Sequence, residues 1–124
     1  MSTIRFNNVG AIGGGTETNA LSGLAKAWCV YTNSGTPTSV IALNVSSLTD
    51  NAAGDVTSVF TTAFSTANYI PIGSAINDSG DGTGKIVTTE FGGRLAASHR
   101  HLMQVDTGTK TDRGVHVIYH GTLA

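Results

Sequence analysis

Charge is what this sequence lacks most. Of its 124 residues only 12% are Asp, Glu, Lys or Arg, about half the usual share, and the net charge is −1. The seven basic residues are scattered from Arg5 to Arg113. No basic stripe could follow a phosphate backbone, so nucleic-acid binding is excluded. There is one cysteine, Cys29, which rules out an internal disulfide; its place inside an apolar run predicts a buried, inert thiol. No run of eighteen apolar residues exists to span a membrane as a helix. The segment Met1-Ser2-Thr3-Ile4-Arg5 has no apolar leader core, which predicts a protein made and kept in a cytoplasm until assembly or lysis. Long helical periodicity is missing too. Disorder is excluded, because 40% of the residues are hydrophobic and the net charge is small.

Thr, Ser, Asn and Gly take the place of the missing charges. Short apolar runs alternate with clusters of these residues, which predicts an all-β, antiparallel sandwich or jelly-roll-like fold. Residues 25–64 are the centre of that reading. Trp28 and Val30 form one inward pair; Ile41, Leu43 and Val45 alternate with Ala42, Asn44 and Ser46; Val56, Ser58, Phe60, Thr62 and Phe64 make another face. The expectation is a three-stranded meander with a turn at residues 49–55, and a core of Trp28, Leu43 (or Ile41), Val45, Phe60 and Val117. Further strands are predicted at 67–72, 85–91, 102–105 and 115–119. Pro71 marks the first of these as an edge or a bulge, Gly92-Gly93 should end the second, and residues 106–114 read as a hairpin loop. Residues 18–27 have helical spacing for one or two turns at most.

The chain divides into 1–15, an N-terminal arm with a glycine hinge, and 16–124, the β domain. Ile4 and Phe6 precede the run Gly10-Ala11-Ile12-Gly13-Gly14-Gly15. That run is either a hinge or a close-packed loop, and the hinge is favoured because Ile4 and Phe6 would otherwise be stranded.

Five short motifs carry a resemblance: Lys26-Ala27-Trp28, Asn44-Val45-Ser46-Ser47, Thr49-Asp50-Asn51, Gly54-Asp55 and Thr61-Thr62-Ala63. Their order and spacing resemble a recurrent domain of bacteriophage virion proteins of the tail-fibre, minor structural or decoration kind. The strong likeness covers about a third of the chain; Cys29, Tyr31 and Val40-Ile41 depart from the pattern. The resemblance implies a virion structural protein, a homotrimer, and partners among other capsid or tail proteins. Starting at Met1 with one domain, the chain would be a short fibre, a decoration or cement protein, or an adaptor. The alternative is a host-surface carbohydrate-binding module, with Tyr31, Tyr69 and Tyr119 as stacking faces.

Candidate chemistry is sparse. His99 and His101 share one face of an extended segment, as do His116 and His120. Alternating imidazoles can ligate a transition metal, and some phage fibre tips resemble this, with His-x-His from three chains around an axial iron. The weaker demand is that they are surface histidines at the rim of the sandwich, in water, so no cofactor is expected. Asp78-Ser79-Gly80-Asp81-Gly82 has carboxylates for calcium but lacks the alternating acidic ligands of a cation loop. Glu90, Asp106 and Asp112 lie in or beside turns, and no G-x-S-x-G or H-E-x-x-H occurs, so no enzyme is expected.

Overall fold

A computed structural model describes residues 24–76 and 85–124. The predicted arm and hinge at 1–15, most of the helix-or-turn segment, and the Asp78-to-Gly82 loop lie outside those residues. Within them there are eight strands and no helix: β1 (Ala27–Asn33), β2 (Pro37–Leu43), β3 (Val45–Ala52), β4 (Asp55–Phe60), β5 (Ile70–Ala75), β6 (Lys85–Leu95), β7 (Ser98–Val105) and β8 (Val115–His120). They form two four-stranded antiparallel sheets. Sheet A runs β2-β1-β8-β5 and sheet B runs β3-β4-β7-β6.

Residues 25–64 hold four strands where the apolar pattern predicts three. The alternation of Ile41, Leu43 and Val45 is broken at Asn44, which has φ 54°, a left-handed conformation that Asn adopts more readily than most residues. There the chain leaves sheet A and enters sheet B. The Asn44 side chain braces the corner: its Nδ2 donates to the Thr62 carbonyl at 3.0 Å, and the Thr62 N–H donates to its Oδ1 at 2.7 Å. Thr49, Asp50 and Asn51 are not turn residues; β3 continues to Ala52, and the turn shrinks to Ala53-Gly54. Gly54 has φ +64°, and a Cβ there would lie 2.4 Å from the Thr111 nitrogen, so no other residue fits without moving backbone.

Two connections also differ from expectation. Residues 106–114 are no hairpin; they carry the chain from β7 in sheet B to β8 in sheet A. Gly92-Gly93 does not end a strand, because β6 passes through a bulge and runs on to Leu95. The prediction for Pro71 holds, since β5 is an edge strand of sheet A.

The two sheets contribute buried side chains to one core. Cys29, Tyr31, Val115, Val117 and Tyr119 come from sheet A, and Val56, Phe60 and Met103 from sheet B. The Phe60 ring sits edge-on to Phe64, Tyr69 and Tyr119, with centroids 4.9, 5.6 and 4.9 Å away. This geometry suits the ring quadrupoles. Of the expected core, Phe60 and Val117 are buried, and Val45 is half-buried against them. Trp28 and Leu43 are not core: Trp28 is half-buried and Leu43 is 49% exposed, as is Ile41 at 55%. β1 turns Ala27, Cys29, Tyr31 and Asn33 inward. Both faces of β1 are apolar, so the larger Trp28 and Val30 suggested the wrong phase. A one-residue slip of phase then carries Leu43 and Ile41, their register partners, outward with them.

Candidate interaction surface

That phase places an unusual surface on the outside of sheet A. Its four strands contain no Asp, Glu, Lys or Arg. In register across the sheet lie Leu43 beside Trp28, Trp28 beside Ile118, and Ile118 beside Ile72. A parallel row holds Ile41, Val30 and His116. Ile70, at 61%, and Ile72, at 58%, are more exposed than Ile118. At the centre, Trp28, Val30, His116 and Ile118 line a recess of about 310 Å³. A solvated antiparallel face normally alternates to polar residues, and contiguous apolar patches of this kind mark interaction sites. The two prolines of the chain, Pro37 and Pro71, lie on β2 and β5, the two edge strands of this sheet. Proline on an edge discourages pairing with a further strand, so the geometry favours contact through the face.

The histidine pair lies elsewhere, and not at the rim. β7 begins at Ser98, four residues before the strand predicted from Leu102 and Met103, so His99, His101 and Met103 alternate inward. Both imidazoles are buried, 2% and 0% exposed, and they stack with centroids 5.3 Å apart. Their nitrogens meet protein groups. His101 Nε2 shares a hydrogen bond of 2.5 Å with the Tyr31 hydroxyl; His99 Nε2 meets Thr89 Oγ1 at 3.0 Å, and His99 Nδ1 meets the Tyr119 hydroxyl at 3.4 Å. His101 Nδ1 has no partner among the described residues. Burial pushes both imidazoles down, His99 to about 3, with the neighbouring His101 adding to the effect, and His101 to about 4. Neither imidazole stands on the surface, where a three-chain site built on His-x-His would need it. Among the described residues no group of three or more His, Cys, Asp and Glu side chains is placed to hold a metal. His116 faces outward on β8, and His120 is half-buried.

The tyrosines likewise turn inward. Tyr31, Tyr69 and Tyr119 are 0–2% exposed, and the Tyr69 hydroxyl donates to the Ser98 carbonyl at 2.8 Å. None offers a stacking face to a sugar. Cys29 is buried and its thiol is pushed up to about 11 by burial, as expected for an inert sulfur.

Two of the carboxylates, Asp55 and Asp112, serve structure. Asp55, 1% exposed, accepts from Arg100 Nε at 2.8 Å, Arg100 Nη2 at 2.9 Å and Lys110 Nζ at 3.0 Å. The Arg100 guanidinium above all holds its carboxyl well below the usual range. Asn51 Nδ2 adds a bond of 3.2 Å to the same carboxylate. Asp112 accepts from the Gly54 N–H at 2.7 Å and from Asn33 Nδ2 at 3.2 Å, tying the 106–114 crossover to the β3–β4 turn. Asp106 is exposed in that crossover, and Glu90 lies apart on β6. Sequence reading missed Asp55 as the hub; the signal was its place directly after a glycine that closes a tight turn. Comparison with family models, with curated proteins and with solved structures finds no match to this chain.

Proposed function

We propose that this chain is a structural protein of a bacteriophage particle, a short fibre, decoration or tail-associated component, that assembles with copies of itself through the outer face of sheet A. The observation that carries the reading is the charge-free row Leu43, Trp28, Ile118, Ile72, left open to solvent on a well-packed domain. Burying one charge in a subunit contact costs several kcal/mol unless it is paired; here there is none to bury. The stoichiometry of three and the virion setting rest on the motif resemblance. The motif residues support it by acting as framework: Asn44 makes the corner, and Gly54-Asp55 makes the turn and its ion-pair hub. The fold belongs with this reading as an antiparallel sandwich. The hairpins β1–β2, β3–β4 and β6–β7 each stay inside one sheet, an arrangement that lends no support to a jelly-roll wrap. The test is quantitation of the chain in purified particles, with and without tails. Copies in multiples of three per site are expected; absence from both fractions contradicts the proposal.

One observation favours the second reading, a host-surface carbohydrate-binding module. Asn68, Thr89, Glu90 and Arg94 border a polar cleft of about 340 Å³, a set able to donate to and accept from sugar hydroxyls. Titration with neutral oligosaccharides, followed at the backbone amides of 89–94, separates it from the first: shifts there support it, and none at millimolar sugar removes it.

A further inference from the structure

Phe91 is fully exposed, at 101%. An apolar ring held out in water is unfavourable, and its setting is built. Thr89 pairs with His101 and Arg94 with His99, so four residues of β6, 90–93, stand opposite Arg100 alone on β7. The surplus forms a bulge that carries Phe91 outward. The bulge is fixed at its base: a Cβ on Gly93 would lie 2.8 Å from the Arg100 carbonyl oxygen, so only glycine permits this close approach. Phe91 is therefore a presented aromatic knob on the edge strand of sheet B, and its exposure shows that it does not reach the apolar face of its own chain.

The recess between Trp28 and Ile118 has the complementary chemistry. It is apolar, lies on strands without a charged residue, and at about 310 Å³ exceeds the roughly 150 Å³ that suffices for a benzene ring. The size of the face also bears on what covers it. Four strands at about 4.8 Å spacing and three outward positions along each give a footprint on the order of 400 Å². A stable contact buries about 800 Å² of accessible surface per partner, more than this flat footprint, so contact with a further patch adds area that the face alone does not give. A second, different patch would supply the remainder.

We propose that one copy seats Phe91 in the Trp28–Ile118 recess of the next, a head-to-tail contact that closes into a ring. The proposal rests on the self-assembly reading above and gives it a specific geometry. A contact between unlike patches leaves every copy with one knob and one recess, and it generates a closed ring when the rotation closes. The partner is a second copy of this chain because knob and recess match in size and polarity. Aromatic anchors seated in partner pockets dominate interface energetics.

The test uses two variants of the full chain, Phe91→Ala and Ile118→Asp. Both positions are exposed, so cooperative melting close to that of the original chain is expected and is checked first. Each variant alone should self-associate at least about 30-fold more weakly than the original chain by sedimentation velocity. Mixed in equal amounts, they should form a complex of two chains, since Phe91 of the Ile118→Asp copy can still fill the recess of the Phe91→Ala copy. The emission of Trp28 in that complex should shift to the blue. If Phe91→Ala assembles normally while Ile118→Asp does not, or if the mixture fails to associate, the head-to-tail contact is overturned and assembly through the sheet A face stands. If the original chain is a monomer at all concentrations up to the millimolar range, both readings fall.

Discussion

Lowering the pH should unfold this protein through two histidines at its centre. His99 and His101 are buried side by side against Tyr31, Tyr119 and Thr89, and a charge there would lose its hydration, a cost that the Asp55 carboxylate offsets only in part at His101. Their folded values lie near 3 and 4, against about 6.5 in the unfolded chain. As the pH falls below 6.5 the unfolded chain takes up protons that the folded one refuses, so stability falls with pH. The stability is fully present above about 6.5 and is lost progressively toward 4. From pH 6.5 to 5 each imidazole contributes about 1.6 kcal/mol of loss, about 3 kcal/mol for the pair. That is a large part of an ordinary folding free energy of roughly 5–15 kcal/mol, and it corresponds to a fall in Tm of roughly 10–15 °C. Asp55 does not blur the window, because its carboxyl is depressed and its contribution is lost only below the ordinary carboxylate range. Tyr31 and Tyr119 stay neutral throughout, their hydroxyls pushed upward by burial. The assay is chemical denaturation at half-unit pH steps, with the His99 and His101 ring protons followed by NMR in parallel. Stability that is flat between pH 7 and 5, or ring-proton midpoints near 6.5, would refute the reasoning.

Other substitutions test the framework. Phe60→Ala should cost about 3–5 kcal/mol, since it empties the centre of the aromatic cluster, whereas Leu43→Ser should leave the melting of the isolated domain within about 1 kcal/mol because Leu43 packs outward. Equal costs for the two would show that the assigned strand phase is wrong. Gly54→Ala should cost about 1–3 kcal/mol for the left-handed backbone alone, with the approach to Thr111 in addition; a neutral effect in thermal melts would contradict the turn. Asn44→Gly keeps access to positive φ but loses two side-chain bonds, so it should destabilise by about 1–3 kcal/mol, and Asn44→Leu by more.

Much of this was legible in the sequence, for physical reasons. Alternation and turn residues gave the strand class, and Pro71 gave an edge. Phase was harder. β1 is apolar on both faces, and size favoured Trp28 over Cys29 and Tyr31, although the sheet buries the smaller and hydroxyl-bearing side. The lack of Asp, Glu, Lys and Arg throughout β1, β2, β5 and β8 could have warned that the outer face was also apolar. The boundary at Asn44 was hidden because a single left-handed residue interrupts an otherwise perfect alternation. The histidines misled through a strand start placed four residues late. Tyr31, His101, His99 and Tyr119 lie on three strands from two sheets, and no local pattern reveals that they meet. The bulge at Phe91 looked like a strand end for the same reason: Gly-Gly ends strands in most settings, and only the pairing of β6 with β7 on both sides shows that this one continues.

Trp28, the single tryptophan, stands at the centre of the proposed contact and reports on it without a label. Its emission maximum and the mass of the particles in solution should be measured together, from high micromolar concentration down to nanomolar. Assembly through the outer face of sheet A predicts that emission moves to the red in step with the loss of mass, with one dissociation midpoint for both, and that Ile118→Asp shows the red emission at every concentration. An emission maximum that stays constant while the mass falls would place the contact elsewhere and contradict the account.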